Sequence, residues 1–135
     1  MARIVLFLFA LLASLVVVLA SPVPIHDVQV LEKRVQHTGR GTWFHPGLGN
    51  CGEWNNDNDP IVAMGKAFYD RNQGSNCNQW MQIVNTANGN TAYAKTVDSC
   101  ESCGDNDIDM SPAVFQQLAP LSQGQLVVTW HFQPK

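Results

Sequence analysis

The chain has 135 residues and a formal charge of −3; 45% of it is hydrophobic and 14% charged. That length holds one domain rather than several. The mildly acidic balance, with no basic stripe, argues against nucleic acid, polyanionic glycans and anionic lipid as partners, and leaves neutral polymers open.

Arg3 opens an apolar run, residues 4–20, and the small residues Val18 and Ala20 precede Ser21. This is the layout of a secretory signal peptide, residues 1–20, cut after Ala20. The run is short for a membrane span. Residues 21–34 read as a pro-segment, since they contain proline, lack periodicity and end in the dibasic pair Lys33-Arg34, a cut site for kexin-type proteases of the secretory route. The working domain is then 35–135, which is 101 residues with five basic and nine acidic side chains and a charge of −4. It is large enough for a single core. The expected location is extracellular, with no membrane contact once the leader is removed.

Within that domain residues 41–44 are a short β-prone run, stopped by Pro46-Gly47 and Gly49. Residues 52–60 are rich in Asn and Asp, which bond their own backbone and form turns. Residues 61–64 suit a buried strand and 66–70 a helical turn. The runs 80–86 and 91–97 flank Asn88-Gly89, a strong hairpin signal between β-prone segments. Ser111-Pro112 opens a helix to about Leu118, with serine as N-cap and proline at the first helical position. The last strand is 125–132. Leu126, Val128 and Trp130 point one way there, and Val127, Thr129 and His131 the other. Several short strands and one short helix predict a small β-barrel.

Cys51, Cys77, Cys100 and Cys103 allow three pairings. Secretion favours disulfides over zinc, and Cys100-x-x-Cys103 has no second such pair to complete a zinc site. A Cys51–Cys77 bridge would close a long loop and contribute roughly 3 kcal/mol or a little more through chain entropy. Asp105-x-Asp107-x-Asp109 opens like a calcium loop, yet Met110 and Gln116 stand where glycine and glutamate belong, so no metal is expected. No G-x-G-x-x-G motif follows a strand and opens a helix, so no dinucleotide cofactor is expected.

Residues 41–55 (GTWFHPGLGNCGEWN), 97–119 (VDSCESCGDNDIDMSPAVFQQLA) and 125–130 (QLVVTW) together resemble a known family. Their order and spacing are similar to the first domain of expansins. They are closer still to single-domain fungal loosenins and to rare lipoprotein A-like, barwin-related proteins. The resemblance implies an all-β, six-stranded double-psi β-barrel with one or two short helices and a groove for a polysaccharide chain. By position it implies Thr42, Asp98 and Asp109 as the polar groove residues, a Cys51–Cys77 disulfide, and hence Cys100–Cys103. Three departures stand out. Trp80 occupies a position where expansins have another cysteine, Cys100 lies near a bacterial groove tyrosine, and expansins carry a second, carbohydrate-binding domain with no counterpart in these residues.

A partly desolvated Asp98 would have a raised pKa and could donate a proton, with Asp109 as partner and Thr42 hydrogen-bonding either one. The bland alternatives are a turn carboxylate capping backbone N–H groups for Asp98 and support of the helix start for Asp109. Trp43, Trp54 and Tyr69 are the candidates for sugar stacking, Trp54 foremost because its neighbours are polar. Either Trp43 or Phe44 faces inward. Trp130 is expected in the core and Trp80 in packing; His45 and His131 read as ordinary histidines. The expected function is a secreted, monomeric, loosenin-like protein that binds cellulose, chitin or a similar neutral β-glycan and loosens it without hydrolysis, and so is not expected to be an enzyme in the bond-cutting sense; lytic cleavage is the minority reading. The alternative is a protein-interaction module on the same barrel, such as a cysteine-protease inhibitor or effector.

Overall fold

In the computed structural model, which describes residues 35–135, six strands close into a barrel. The expected signal peptide and pro-segment, with Ala20, Lys33 and Arg34 at their cuts, lie outside the described residues. The strands are β1 (His37–Trp43), β2 (Ile61–Gly65), β3 (Trp80–Asn85), β4 (Thr91–Cys100), β5 (Ile108–Met110) and β6 (Leu126–Phe132). Among the described residues there are also two helices, α1 (Lys66–Arg71) and α2 (Pro112–Leu118), and a 3-10 turn at Leu121–Gln123. Around the barrel the order is β1-β5-β2-β4-β3-β6. The β1–β5 and β2–β4 pairs are parallel and the others antiparallel. This is the double-psi β-barrel that the motifs implied.

Alternation decides the wall. On β6 Leu126, Val128 and Trp130 are buried while Val127 is exposed, as the period of two requires. They meet Met81, Ile83, Ile108, Met110 and Phe115 in one core. The Trp130 indole N–H donates to the Asn106 carbonyl at 2.8 Å, so the polar edge of the largest core ring is satisfied. Asn88-Gly89 sits in the turn between β3 and β4, with Gly89 at φ +77, a conformation glycine adopts without penalty.

Ser111 is extended and Pro112 begins α2 as expected, but the serine hydroxyl donates to the Asp59 carbonyl at 2.6 Å instead of capping its own helix. Val114, Phe115 and Leu118 form the buried face of α2. At the other end, Asn85 and Asn88 both donate side-chain N–H bonds to the Leu118 carbonyl at 3.1 Å. These bonds occupy an acceptor left open by the end of the helix.

Three features differ from the sequence expectations. β1 starts at His37, four residues before the β-prone run, because pairing with β6 extends it. β5 is a strand although three residues carry no readable alternation; β1 and β2 hold it from both sides. Trp80 was expected in packing and instead remains 42% exposed. It opens β3 in the outward register, opposite Lys95.

Candidate functional site

The site grows from a row of four partners across the barrel wall. Thr42 on β1 pairs with Asp109 on β5, Asp109 with Ala63 on β2, and Ala63 with Asp98 on β4. Direct partners in a sheet project to the same side. Gly41, Val97, Ile108 and Met110 beside them are buried while Thr42, Asp98 and Asp109 are half-buried, so these three side chains lie on the outer side of the wall, with Ala63 buried beneath its neighbours.

Asp98 reaches this row through a β-bulge. Val62 pairs with Thr96 and Ala63 with Asp98, which leaves Val97 as the extra residue on β4. Without the bulge Ala63 would face Val97, and Asp98 would turn to the opposite side.

Thr42 Oγ1 donates to Asp109 Oδ1 at 2.8 Å. Burial pushes the Asp109 carboxyl above its ordinary value; the Thr42 bond, the Arg40 charge and the Met110 N–H oppose this, and the Asp98 charge reinforces it. Burial thus raises the carboxyl of Asp109, which the sequence reading had cast as the partner of Asp98. Asp98 Oδ1 accepts from two backbone N–H groups, those of Asn50 and Ser99, each at 2.8 Å. The capping role weighed as its bland alternative is therefore real, and it joins β4 to the segment above it. Burial also disfavours the charge of Asp107, but N–H bonds from Arg40 and Gly104 and the Arg40 charge outweigh it, and its pKa lies below the ordinary value.

The segment above β4 is a small hairpin, residues 47–55. Gly49 N–H donates to Glu53 O, Asn55 N–H to Gly47 O, and Leu48 bridges to Trp54. Cys51 N–H donates to Val97 O, and a disulfide joins Cys51 to Cys77 with 5.6 Å between their Cα atoms. Gly49 is required here, since a Cβ would lie 2.4 Å from Val97 O. The second disulfide, Cys100–Cys103, spans three positions and clamps the end of β4. Both pairings are those the resemblance implied.

Beside the hairpin an open hollow of about 540 Å³ is lined by Leu48, Gly49, Asn50, Lys66, Asp98, Ser99 and Glu101. Asp98 lines it; Thr42 and Asp109 do not. Lys66 at its edge donates to Asp70 at 2.6 Å. Asn50, Lys66, Ser99 and Glu101 escaped the sequence reading. Asn50 acts through its backbone N–H, which no side-chain motif marks.

The stacking candidates separate. Trp54 is 78% exposed on the hairpin, beside Leu48 at 57%. Trp43 packs against the core and donates its indole N–H to Leu121 O at 3.1 Å. Tyr69 donates its hydroxyl to Asn50 O at 3.3 Å, which ties α1 to the hairpin. The calcium-like aspartates go separate ways: Asp105 pairs with Arg71, Asp107 with Arg40 and the Gly104 N–H, and Asp109 with Thr42.

The model of the Barwin family matches residues 49–133. Expansin-like protein 3 of Dictyostelium discoideum is 39% identical over 88 residues, and the match covers 58% of this chain and 25% of that protein. A papain inhibitor of Streptomyces mobaraensis is 32% identical over 101 residues, covering 70% of each. The solved structure of a Streptomyces papain inhibitor superposes with a TM-score of 0.63 at 30% identity, over 73% of this chain and 94% of that one. A Clavibacter michiganensis expansin mutant in complex with cellohexaose gives a TM-score of 0.64 at 19% identity, over 73% of this chain and 50% of that one. The chain thus spans only a quarter of the expansin-like relative but most of the papain inhibitor. With residues 49–133 matched and the barrel closed in this strand order, the chain belongs to the Barwin family and is an expansin-like, rare lipoprotein A-like double-psi β-barrel.

Proposed function

We propose that this is a secreted protein that seats a neutral, β-linked wall polysaccharide over Asp98 and the Thr42–Asp109 pair and loosens it without cutting it. The observation that carries this reading is the β4 bulge, which puts Asp98 in one outward row with Asp109 and Thr42. The hollow beside Asp98 offers amide, hydroxyl, ammonium and carboxylate groups to sugar hydroxyls. Trp54, exposed on a braced hairpin, supplies a ring face for a pyranose.

The same geometry disfavours hydrolysis. Asp98 and Asp109 are two strands apart, about 10 Å between backbones. Glycoside hydrolysis needs two carboxyls free to act across the scissile bond, one as acid and the other as base or nucleophile. Moreover, one oxygen of Asp98 is held by two backbone N–H groups and one of Asp109 by Thr42. Such carboxyls can exchange hydrogen bonds with a glycan and compete with its contacts to neighbouring chains, which is loosening without bond cleavage.

A second reading rests on the match to a papain inhibitor over 70% of both chains. Here the hairpin bearing Leu48 and Trp54, braced by Cys51–Cys77, would be the rigid element that docks on a protease. Sedimentation with cellulose and chitin, reducing-sugar release and papain inhibition decide between them. Glycan retention that Asp98→Asn weakens, with no sugar release and no inhibition, supports the first reading. Inhibition without retention replaces it with the second, and sugar release overturns both.

A further inference from the structure

The tip of the hairpin 47–55 is pinned at four points. The Asn50 N–H donates to Asp98 Oδ1 at 2.8 Å, the Cys51 N–H donates to Val97 O at 3.0 Å, and Cys51 is bonded to Cys77. The fourth point is Tyr69, whose hydroxyl donates to Asn50 O at 3.3 Å and lies 3.7 Å from Cys77 Sγ. The peptide between Asn50 and Cys51 is therefore held at both of its polar groups, the carbonyl by Tyr69 and the N–H by Val97. Asn50 also donates from Nδ2 to Ser99 Oγ at 3.1 Å, beside the Ser99 N–H that is the second donor to Asp98.

The sequence made Tyr69 a ring for sugar stacking, yet the structure commits its hydroxyl to the protein. Tyr69 stands on α1 three positions after Lys66 and so shares its face. Lys66 lines the Asp98 hollow, and Tyr69, half-buried behind it, does not. Space for the hydroxyl is kept by Gly74, where a Cβ would lie 2.9 Å from the Tyr69 oxygen. Gly74 has φ +69, which glycine adopts without penalty. Stacking alone requires neither the hydroxyl nor the space around it, because the ring face provides it.

We infer that Tyr69 is a positioning residue. Through Asn50 it holds the N–H that fixes one oxygen of Asp98, and so leaves the other oxygen of that carboxyl aimed for the glycan. A carboxyl held at one oxygen by two N–H groups turns only by breaking both bonds. Without the Tyr69 hydroxyl the peptide after Asn50 can tilt, and the Asn50 N–H tilts with it. The assignment rests on the polysaccharide reading above, since it concerns how Asp98 meets that ligand.

The test compares the secreted, isotope-labelled parent with Tyr69→Phe and Gly74→Ala by NMR, alone and titrated with cellohexaose and chitohexaose. The Trp43 and Trp130 indoles, held by Leu121 O and Asn106 O, report an intact fold. In Tyr69→Phe the Asn50 amide proton should move upfield as its bond to Asp98 weakens. The oligosaccharide that the parent binds should be held about 2- to 5-fold less tightly. Gly74→Ala, which displaces the hydroxyl without removing it, should move the same amide. In an Asp98→Ala background Tyr69→Phe should add no further loss, because it acts through Asp98. An additive loss there means that Tyr69 touches the sugar itself and overturns the assignment. An Asn50 amide that stays still in Tyr69→Phe overturns it whatever the affinities. If the parent binds neither oligosaccharide, the polysaccharide reading falls, and the Asn50 amide still decides whether Tyr69 holds the donor to Asp98.

Discussion

Asp109 and Asp107 show how the same side-chain type acquires opposite behaviour from its surroundings. Burial raises the Asp109 carboxyl, whereas N–H donors and Arg40 lower that of Asp107. The consequences for stability have opposite sign. A raised carboxyl contributes stability that is present below its unfolded value, near 3.8, and is lost as pH rises through its folded pKa. A lowered carboxyl contributes stability that is present above 3.8 and is lost as pH falls through its folded pKa. Denaturant unfolding across pH 3 to 7 should therefore show Asp109→Asn gaining on the parent as pH rises, and Asp107→Asn losing ground over the same change. Parallel curves for the two variants would contradict these environments. Thr42, Asp98 and Asp109 were legible as a set from the motifs they sit in. That burial acts on the carboxyl of Asp109 was not, because it depends on β1 and β2 enclosing β5.

The hairpin 47–55 and the bulged strand β4 work as one device. The bulge aims Asp98, Gly49 lets the hairpin lie on β4, and Cys51–Cys77 ties its tip down. The two disulfides should differ greatly in worth. Cys51 and Cys77 are 26 positions apart, so removing that bridge by Cys51→Ser with Cys77→Ser should cost about 3.5 kcal/mol of unfolding free energy by loop entropy. Removing Cys100–Cys103, three positions apart, should cost far less in the same urea titration. Equal losses would mean that chain entropy is not what the long bridge supplies. The strands at 61–65, 80–85 and 126–132 were readable because each carries either an apolar run or a clean alternation. β5 was not, since three residues are too few to display a period. Nor was the outward register of Trp80: an indole at a strand's first residue is apolar by type, and only its pairing with Lys95 says which side it faces.

For the protein as a whole, we propose cleavage after Lys33-Arg34, so that the mature chain starts at Val35. N-terminal sequencing of secreted material should read Val35-Gln36-His37, and Arg34→Ala should shift the start upstream. A start at Ser21 in the parent would remove the second cut. The positions of the cysteines and the small β-barrel follow from alternation and turn-forming residues, which linear sequence carries directly, and the candidate polar residues from motifs in fixed order that resemble a family. The single outward row of Thr42, Asp109 and Asp98, the hollow beside the hairpin and the exposed face of Trp80 depend on which strands become neighbours. Those pairings join residues as far apart as Thr42 and Asp109, and a one-residue bulge decides which side of the wall Asp98 occupies. Only the closed barrel, which satisfies every strand edge at once, selects that register.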